Sequence, residues 1–175
     1  MPIKGRVALT GRPGVGKTTL IERVLEEAAQ IAAGGMLTKE IRICGRRVGF
    51  AVVDVATGAD GVLSHIHHRV GPRVGRYTVD TESLERVGIA AILAAIKTKE
   101  LIVIDEIAPM ELCSPAFAPA VEAALESDRA LLISTHAHAD HPLAHRVRQE
   151  FTLFRVKLSN RDSLVSEVTD ALLAS

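Results

Sequence analysis

One short segment of the sequence combines glycines, a lysine and a threonine at a spacing that suits phosphate binding. It reads GRPGVGKT over residues 11–18 and fits the pattern G-x-x-x-x-G-K-[ST]. Glycines let the backbone curl until successive N–H groups face one centre, where an anion is held. The ammonium of Lys17 can reach the outer phosphates of a nucleotide, and the hydroxyl of Thr18 can ligate Mg²⁺. The predicted nucleotide-binding residues here are Gly11, Arg12, Pro13, Gly14, Val15, Gly16, Lys17, Thr18 and Thr19.

A pair of carboxylates follows the short apolar run 101–104, which predicts a central strand buried on both faces. Asp105 is predicted to hold Mg²⁺ together with Thr18, directly or through water. Glu106 leaves the same strand end and could orient or deprotonate a water that attacks the γ-phosphate. Two solvated acids that open a loop are the alternative, but such a strand end is costly to bury without a cation.

The rest of the chain alternates short aliphatic runs with helical stretches, the pattern of a parallel sheet covered by helices. Gly34-Gly35 is predicted to end the first helix, and the two β-rich runs after it are predicted to form a hairpin. Residues 56–76 have no regular pattern and are predicted to form a mobile loop or lid. The predicted strands are 6–10, 36–44, 47–55, 101–105, 130–135 and 152–158, and the predicted helices are 17–33, 82–97, 115–125, 142–149 and 161–174.

The composition excludes several classes of protein. The 175 residues fit one domain, and 21 Lys+Arg balance 21 Asp+Glu, so there is no overall basic surface for nucleic acid. Aromatic residues make up only 3%, which argues against a base-stacking platform. There is no apolar run of about 18 residues and no signal-peptide layout. We therefore expect a single cytoplasmic domain that binds neither membranes nor nucleic acid.

Several stretches spread over most of the chain resemble one known family. They are TGRPGVGKTTL (10–20), GGMLTKEIRICGRRVGF (34–50), VGRYTVD (74–80), LIVIDEIAPMEL (101–112) and a short NRD (160–162). These stretches resemble the small P-loop nucleoside-triphosphatases of thermophiles, whose animal members are called cancer-related nucleoside-triphosphatase. The first stretch is generic to P-loop proteins, whereas the second, combined with DEI-x-x-MEL, is much more specific.

The resemblance implies an α/β fold: a three-layer, RecA-like P-loop sandwich with a mostly parallel central sheet and a β-hairpin after the first helix. It also implies Mg²⁺-dependent hydrolysis of ATP, GTP and other nucleoside triphosphates to diphosphates. This chain departs from the family at Ala108 and Pro109, where the family usually has Gly and often Lys, so the loop after Glu106 is expected to lie differently. A second nucleotide-binding stretch is implied by the resemblance at Leu101, Ile102, Val103, Ile104, Asp105, Glu106, Ile107 and Ala108.

Three polar residues alternate along the predicted strand 36–44. Thr38, Glu40 and Arg42 therefore share one face of that strand. If this face looks toward the γ-phosphate, Arg42 can stabilise the charge of the transition state. A solvated hairpin face with a Glu–Arg pair is the alternative, and the resemblance favours the catalytic role.

Several other polar residues leave two interpretations open. Asn160 follows the last predicted strand and could contact the nucleobase or simply cap the last helix. Glu111 could support the site or lie on the surface. The segment 136–141 fits H-x-H-x-D-H, a pattern of two-metal hydrolases, but His145 is the only later histidine that could complete such a site. The end of the strand before it, Thr135-His136, is instead expected to approach the γ-phosphate.

Together these residues predict a slow nucleoside-triphosphatase with a broad base preference, in which Lys17, Glu106 and Arg42 are catalytic. A small-molecule kinase that uses the same loop is one alternative, and a nucleotide-dependent switch that recruits a partner is another. The adjacent acids favour water as the phosphoryl acceptor, because Glu106 occupies the side from which water attacks.

Overall fold

The computed structural model describes residues 3–174, so residues 1, 2 and 175 of the predicted domain lie outside the described range. The strands are β1 (Arg6–Gly11), β2 (Ala33–Ile43), β3 (Arg46–Asp54), β4 (Asp60–His65), β5 (Arg73–Val74), β6 (Tyr77–Val79), β7 (Leu101–Ile107), β8 (Ala130–His136) and β9 (Thr152–Arg155). The helices are α1 (Lys17–Glu27), α2 (Thr81–Ser83), α3 (Ala90–Thr98), α4 (Phe117–Glu126), α5 (Pro142–Glu150) and α6 (Leu164–Leu173). A π-helical segment (Leu84–Ile89) joins α2 to α3, and a 3₁₀ turn (Glu111–Cys113) follows β7.

All the strands belong to one mixed sheet with the order β5-β6-β4-β3-β2-β7-β8-β1-β9. From β2 to β9 in this order, neighbouring strands run parallel. From β5 to β2 they run antiparallel. Strand β2 therefore belongs to both halves and connects the antiparallel extension to the parallel part.

Helices cover both faces of the parallel part and create two hydrophobic cores. Leu101 and Val103 of β7 pack in one core with α1 and α6. Ile102 and Ile104 point to the opposite face and pack in the other core with α3, α4 and α5. The strand predicted from this apolar run is thus confirmed, and its burial on both faces explains why no polar residue interrupts it.

The parallel direction brings the carboxyl ends of β1, β7 and β8 to one edge of the sheet. Strand β1 ends at Gly11, the first residue of the phosphate-binding loop. The strand register pairs Thr10 with Thr135 and Thr135 with Ile107, so β8 ends between that loop and the acidic pair 105–106. Residues far apart in the sequence therefore meet at this edge.

The prediction that Gly34-Gly35 ends the first helix is wrong. Helix α1 ends at Glu27, and both glycines lie inside β2. Gly35 has φ +108°, and a Cβ on it would lie 2.0 Å from the carbonyl oxygen of Val103 on the neighbouring strand. The glycine is therefore needed for the close approach of two parallel strands, a role with the same sequence signature as a helix stop.

The prediction of a loop or lid over 56–76 is also wrong for much of that segment. Strand β4 pairs antiparallel with β3 and β6, and β5 pairs with β6. The segment lacks the apolar alternation that predicts a strand, because its glycines and histidines interrupt the pattern. Strand β4 forms because its backbone pairs with β3, and its side-chain pattern does not reveal this pairing.

Other boundaries differ by a few residues from the predicted ones. Strand β9 ends at Arg155, and α6 begins at Leu164. The predicted helix 82–97 runs as α2, the π-helical segment and α3 in succession. Within residues 3–174, none of the helices is both long and apolar enough to cross a membrane.

Replacing Gly35 by alanine is expected to lower the free energy of unfolding by about 2–5 kcal/mol, because backbone strain adds about 1–2 and overpacking about 1–3 kcal/mol. Urea denaturation measures this loss. Gly45→Ala is the matched control, since Gly45 has φ +75° but no atom within 4 Å of an added Cβ. The control should lose only about 1–2 kcal/mol of backbone strain. Equal losses in the two variants would contradict the assigned contact with β7.

Candidate functional site

The phosphate-binding loop opens directly into helix α1. Gly16 precedes the helix with φ +107°, a backbone conformation that residues other than glycine rarely adopt. No side chain caps this helix end, and the first turn carries no acidic residue. The N–H groups of the first turn and the positive end of the helix dipole are therefore available to an anion.

Lys17 is held inside the site and not extended into solvent. Its side chain is only 6% exposed, and Nζ donates a hydrogen bond to the carbonyl oxygen of Gly11 at 2.8 Å. The same ammonium lies 3.5 Å from Oε2 of Glu106. Lys17 thus connects the two ends of the loop and faces the acidic strand end.

Asp105 is the centre of a hydrogen-bond network that joins three other elements. Its Oδ2 accepts hydrogen bonds from Oγ1 of Thr18 at 2.6 Å, from Oγ1 of Thr38 at 3.3 Å and from the Thr38 amide at 3.4 Å. Its Oδ1 accepts a hydrogen bond from Ser134 Oγ. Burial raises the pKa of Asp105, and these bonds together with Lys17 oppose the rise without cancelling it.

The donor set around Asp105 suits a hard cation. The Thr18 hydroxyl and the Asp105 carboxylate are oxygen ligands already in contact. Mg²⁺ is commonly held by one or two protein oxygens, with waters and phosphates completing its octahedron. The two residues predicted to bind Mg²⁺ are therefore brought together in a way that fits this ion.

Two more carboxyl groups lie near Asp105, and both titrate above their ordinary range. Burial raises the pKa of Glu106 to about 7, with the charge of Asp105 adding to the rise and Lys17 opposing it. Glu111 is 3% exposed, so the surface alternative for this residue is wrong. Burial, then the charge of Glu106, raises the pKa of Glu111 well above its usual value, and its Oε2 has no hydrogen-bond partner among residues 3–174.

The end of β8 contributes a buried hydroxyl without a partner. Thr135 is completely buried, and its Oγ1 forms no hydrogen bond within the described part of the chain. An unsatisfied buried hydroxyl is unfavourable, so Thr135 is available to donate to a polar group that enters the site. Next to it, burial and the nearby charge of Lys17 lower the pKa of His136, so this ring lies close to the phosphate-binding loop.

A cleft of about 610 Å³ lies over the loop and the acidic pair. Among the predicted site residues, Arg42, Asp105 and Glu106 line it together with most of the loop. Gly11, Arg12 and Val15 instead line a second cleft, of about 870 Å³, on the other side of the loop. The first cleft is lined by Pro13, Gly14, Gly16, Lys17, Thr18, Thr19, Glu22, Thr38, Lys39, Glu40, Arg42, Arg47, Phe50, Asp105, Glu106 and Arg161.

The other predicted residues of the stretch 101–108 are buried beneath the cleft and do not line it. Leu101, Ile102, Val103, Ile104 and Ile107 are completely buried, and Ala108 is 6% exposed. Their side chains fill the cores and fix β7, and only Asp105 and Glu106 of this stretch line the cleft. Sequence reasoning missed Ser134 and Glu22, because they lie outside the motifs. Phe50 and Arg161 lie inside stretches that resemble the family, but no residue pattern there assigned them a role.

The face of β2 that carries Thr38, Glu40 and Arg42 lines the first cleft. Thr38 bonds to Asp105, while Arg42 lines the same cleft further along. Here Arg42 binds Glu40 through Nε and Nη2, and its Nη1 donates to the carbonyl oxygen of Gly45 at 2.9 Å. The structure therefore contains the Glu–Arg pair of one interpretation, and it also places Arg42 on the cleft wall, as the other requires.

Asn160 organises the loop after β9. Its Oδ1 accepts a hydrogen bond from the Lys157 amide at 2.8 Å, and its Nδ2 donates to the carbonyl oxygen of Arg155 at 3.0 Å. The helix-capping alternative is wrong, since Ser163 is the residue that precedes α6. Contact with a nucleobase stays a prediction, and the neighbouring Arg161 lines the cleft beside Gly16.

Three of the four histidines at and after the end of β8 have hydrogen-bond partners within the chain. Nδ1 of His136 accepts from the His138 amide, and Nδ1 of His141 accepts from the Leu143 amide at the start of α5. His145 pairs with Asp140 at 2.8 Å. In residues 3–174 no three His, Cys, Asp or Glu side chains are grouped so as to hold a metal ion by themselves.

A glycine-rich loop that opens into a helix, a buried lysine and an acidic strand end at the same sheet edge define a phosphate-binding-loop protein of the α/β class. The chain belongs to the NTPase family, whose model matches residues 6–169. The family resemblance found in the sequence is thereby confirmed.

Relatives and solved structures agree with this assignment. Nucleoside-triphosphatase THEP1 of Methanosarcina acetivorans is 45% identical over 171 residues, covering 96% of this chain and 97% of that protein. The crystal structure of THEP1 from Aquifex aeolicus matches with a TM-score of 0.85 at 28% identity, covering 96% of this chain and 99% of that chain. The solution structure of a human cancer-related nucleoside triphosphatase matches with a TM-score of 0.81 at 34% identity, covering 98% of both chains.

Replacing Ser134 by alanine is expected to lower the free energy of unfolding of the nucleotide-free protein by about 1–3 kcal/mol, because a buried carboxylate oxygen loses its donor. Urea denaturation measures the change. The exposed Ser159 offers a control, and its alanine variant should stay within about 0.5 kcal/mol of the parent. A Ser134→Ala variant as stable as the control would show that this hydrogen bond contributes nothing.

Proposed function

We propose that this protein is a single-domain, Mg²⁺-dependent nucleoside-triphosphatase that converts ATP, GTP and other nucleoside triphosphates to diphosphates and phosphate. One observation carries the proposal: Lys17, the Thr18–Asp105 pair and Glu106 lie in contact at the open N-terminus of α1. The THEP1 nucleoside-triphosphatases at 45% and 46% identity support the same activity. The parallel part of the sheet would be a RecA-like P-loop core.

Phosphate binding follows from the geometry of the loop. The amides of the first turn of α1 would donate to phosphate oxygens, and Lys17 would neutralise negative charge on them. Lys17 is hydrogen-bonded to Gly11 and paired with Glu106, so its charge is already held at the phosphate-binding loop before substrate binds.

The Mg²⁺ ion would be held by Thr18 and Asp105. Bound there, it would supply positive charge to the oxygens of the β- and γ-phosphates. The bonds from Thr38 and Ser134 keep the Asp105 carboxylate in place. Asp105 is thereby oriented in advance, so little reorganisation is needed when nucleotide binds.

Glu106 is the residue proposed to act on water. As a carboxylate it would accept a proton from the water that attacks the γ-phosphate, or orient that water. Its ion pair with Lys17 favours the charged form against the effect of burial. Glu111, with its strongly raised pKa, would stay uncharged, so it would add no second negative charge beside the phosphate.

Two further groups are proposed to contact the terminal phosphate. The unpartnered hydroxyl of Thr135 would donate to it or to the attacking water. Arg42 would move from Glu40 to stabilise the charge that develops in the transition state. Base recognition would be loose, through Asn160 and the cleft wall near Arg161, which accords with a broad base preference.

The test is phosphate release from ATP, GTP, CTP and UTP with Mg²⁺ and no added acceptor. Release from several of these nucleotides is expected from the unaltered protein. Lys17→Ala should lower the rate by at least about 10²–10³-fold, because a group that stabilises the transition state is lost. Glu106→Gln should lower it by about 10²–10⁴-fold while nucleotide still binds, because a general base is lost.

The outcomes separate the alternatives. Tight nucleotide binding without phosphate release would contradict hydrolysis and favour a kinase, to be followed by a screen of acceptors. Turnover in Glu106→Gln equal to that of the parent would remove Glu106 from the mechanism.

Thr135→Val keeps the shape of the side chain but removes the hydroxyl. Loss of one neutral hydrogen bond to the reacting groups is expected to lower kcat by about 10-fold. Because the hydroxyl has no hydrogen-bond partner among residues 3–174, the variant should be at least as stable as the parent to urea. A valine variant with unchanged kcat would show that Thr135 does not contact the phosphate or the water.

A further inference from the structure

A cluster of polar side chains occupies the cleft wall beyond Thr38. We call Glu40, Arg42, Arg47 and Tyr77 the Glu40 cluster. The first three line the same cleft as Lys17. They come from β2 and β3, and Tyr77 comes from β6, so the antiparallel extension of the sheet builds this wall.

Glu40 is the shared partner of both arginines. Its Oε2 accepts from Nε of Arg42 at 2.8 Å and from Nη2 at 2.6 Å. Its Oε1 accepts from Nη1 of Arg47 at 3.0 Å. One carboxylate therefore balances two guanidinium groups, and the three side chains together keep one positive charge facing the cleft.

The two arginines are not held equally. Arg47 also donates to the hydroxyl of Tyr77 at 3.0 Å, and its guanidinium lies 5.2 Å from the ring centre of Phe50. Among residues 3–174, the Arg42 side chain has only Glu40 and the carbonyl oxygen of Gly45 as partners, and it is 54% exposed. Arg47 is thus fixed by contacts independent of Glu40, whereas Arg42 depends mainly on that carboxylate.

Glu40 also lies between Arg42 and the reacting groups. Thr38, Glu40 and Arg42 share one face of β2, and Thr38 touches Asp105. Each two-residue step along a strand covers about 6.6 Å, so Glu40 lies between Arg42 and Thr38, the residue of this face that contacts Asp105. An inward movement of Arg42 must exchange this carboxylate for another anion.

That exchange is energetically accessible. Burial acts to raise the pKa of Glu40, but the hydrogen bonds from Arg42 and Arg47 outweigh it and keep the carboxylate ionised. The Glu40–Arg42 pair is partly exposed, and such pairs contribute little net stability. A phosphate offers Arg42 several acceptor oxygens for two parallel N–H···O bonds, together with more negative charge.

We propose that Glu40 is a positioning residue that holds Arg42 away from the site until the terminal phosphate of a nucleoside triphosphate replaces it. This inference rests on the proposed function and adds a basis for discriminating triphosphate from diphosphate. A diphosphate has no terminal group in reach of Arg42, so the Glu40–Arg42 pair stays closed. The γ-phosphate supplies the competing anion, and Arg42 then joins Lys17 on it.

Glu40→Gln tests the exchange, because it removes the charge and keeps the size of the side chain. The measurement is the Kd of the Mg²⁺ complexes of ADP and of the β,γ-imido analogue of ATP, by calorimetry. The analogue should bind about two- to fivefold more tightly to the variant, as expected for losing a competing, partly exposed ion pair. The Kd of ADP should change by less than about 1.5-fold, since this pair is not opened by ADP.

Glu22→Gln is the matched control. Glu22 lines the same cleft and pairs with Lys39 at 2.7 Å, so the control removes the same charge without touching Arg42. It should affect both nucleotides equally. The double variant Glu40→Gln/Arg42→Gln should lose the tightening for the analogue.

Three results would overturn the inference: equal tightening for both nucleotides, tightening that survives in the double variant, or weaker binding of the analogue to Glu40→Gln. Weaker binding would mean that Glu40 only supports the arginines structurally. Failure of the proposed function is distinct, because the unaltered protein would then release no phosphate from nucleoside triphosphates, whether or not it bound the analogue.

Discussion

The buried carboxylate of Asp105 is the group on which the site depends. Its hydrogen bonds reach Thr18 on α1, Thr38 on β2 and Ser134 on β8. A carboxylate that is 1% exposed is stable only with such partners, so the same bonds that make its burial tolerable also fix the distances between the phosphate-binding loop and the two neighbouring strands. The hydrogen bonds to Asp105 are therefore needed both for the stability of the fold and for the geometry of the site.

Charge balance is the second constraint. Asp105 and Glu106 share the ammonium of Lys17, and the charges of these two acids in turn act on the buried Glu111. Burial raises the pKa values of all three carboxyl groups. The pKa of Glu111 is raised well above its usual value, and that of Glu106 to about 7. Lys17 balances one of the carboxylates of Asp105 and Glu106, and Mg²⁺ and the arginines of the cleft wall are cations that suit the other.

The mixed sheet divides the work between its two halves. The parallel half presents the loop, the acidic pair and Thr135 at one edge, as open parallel sheets do. The antiparallel half adds a wall of polar side chains that continues the face of β2 outward from Thr38. Strand β2 pairs with β3 on one side and with β7 on the other, so it connects this wall to the strand that carries the acidic pair.

The sequence by itself determined the parts whose chemistry is contiguous. The loop at 11–18, the apolar run of β7 and the acids at its end are local patterns, and the parallel α/β core follows from their alternation with helices. Tertiary structure alone decided that Ser134 would support Asp105, that Glu111 is buried and that Gly35 serves a strand contact. It also decided that 56–76 contains a strand and that Glu40 holds two arginines. These depend on partners distant in the chain, and no local periodicity records which distant groups will meet.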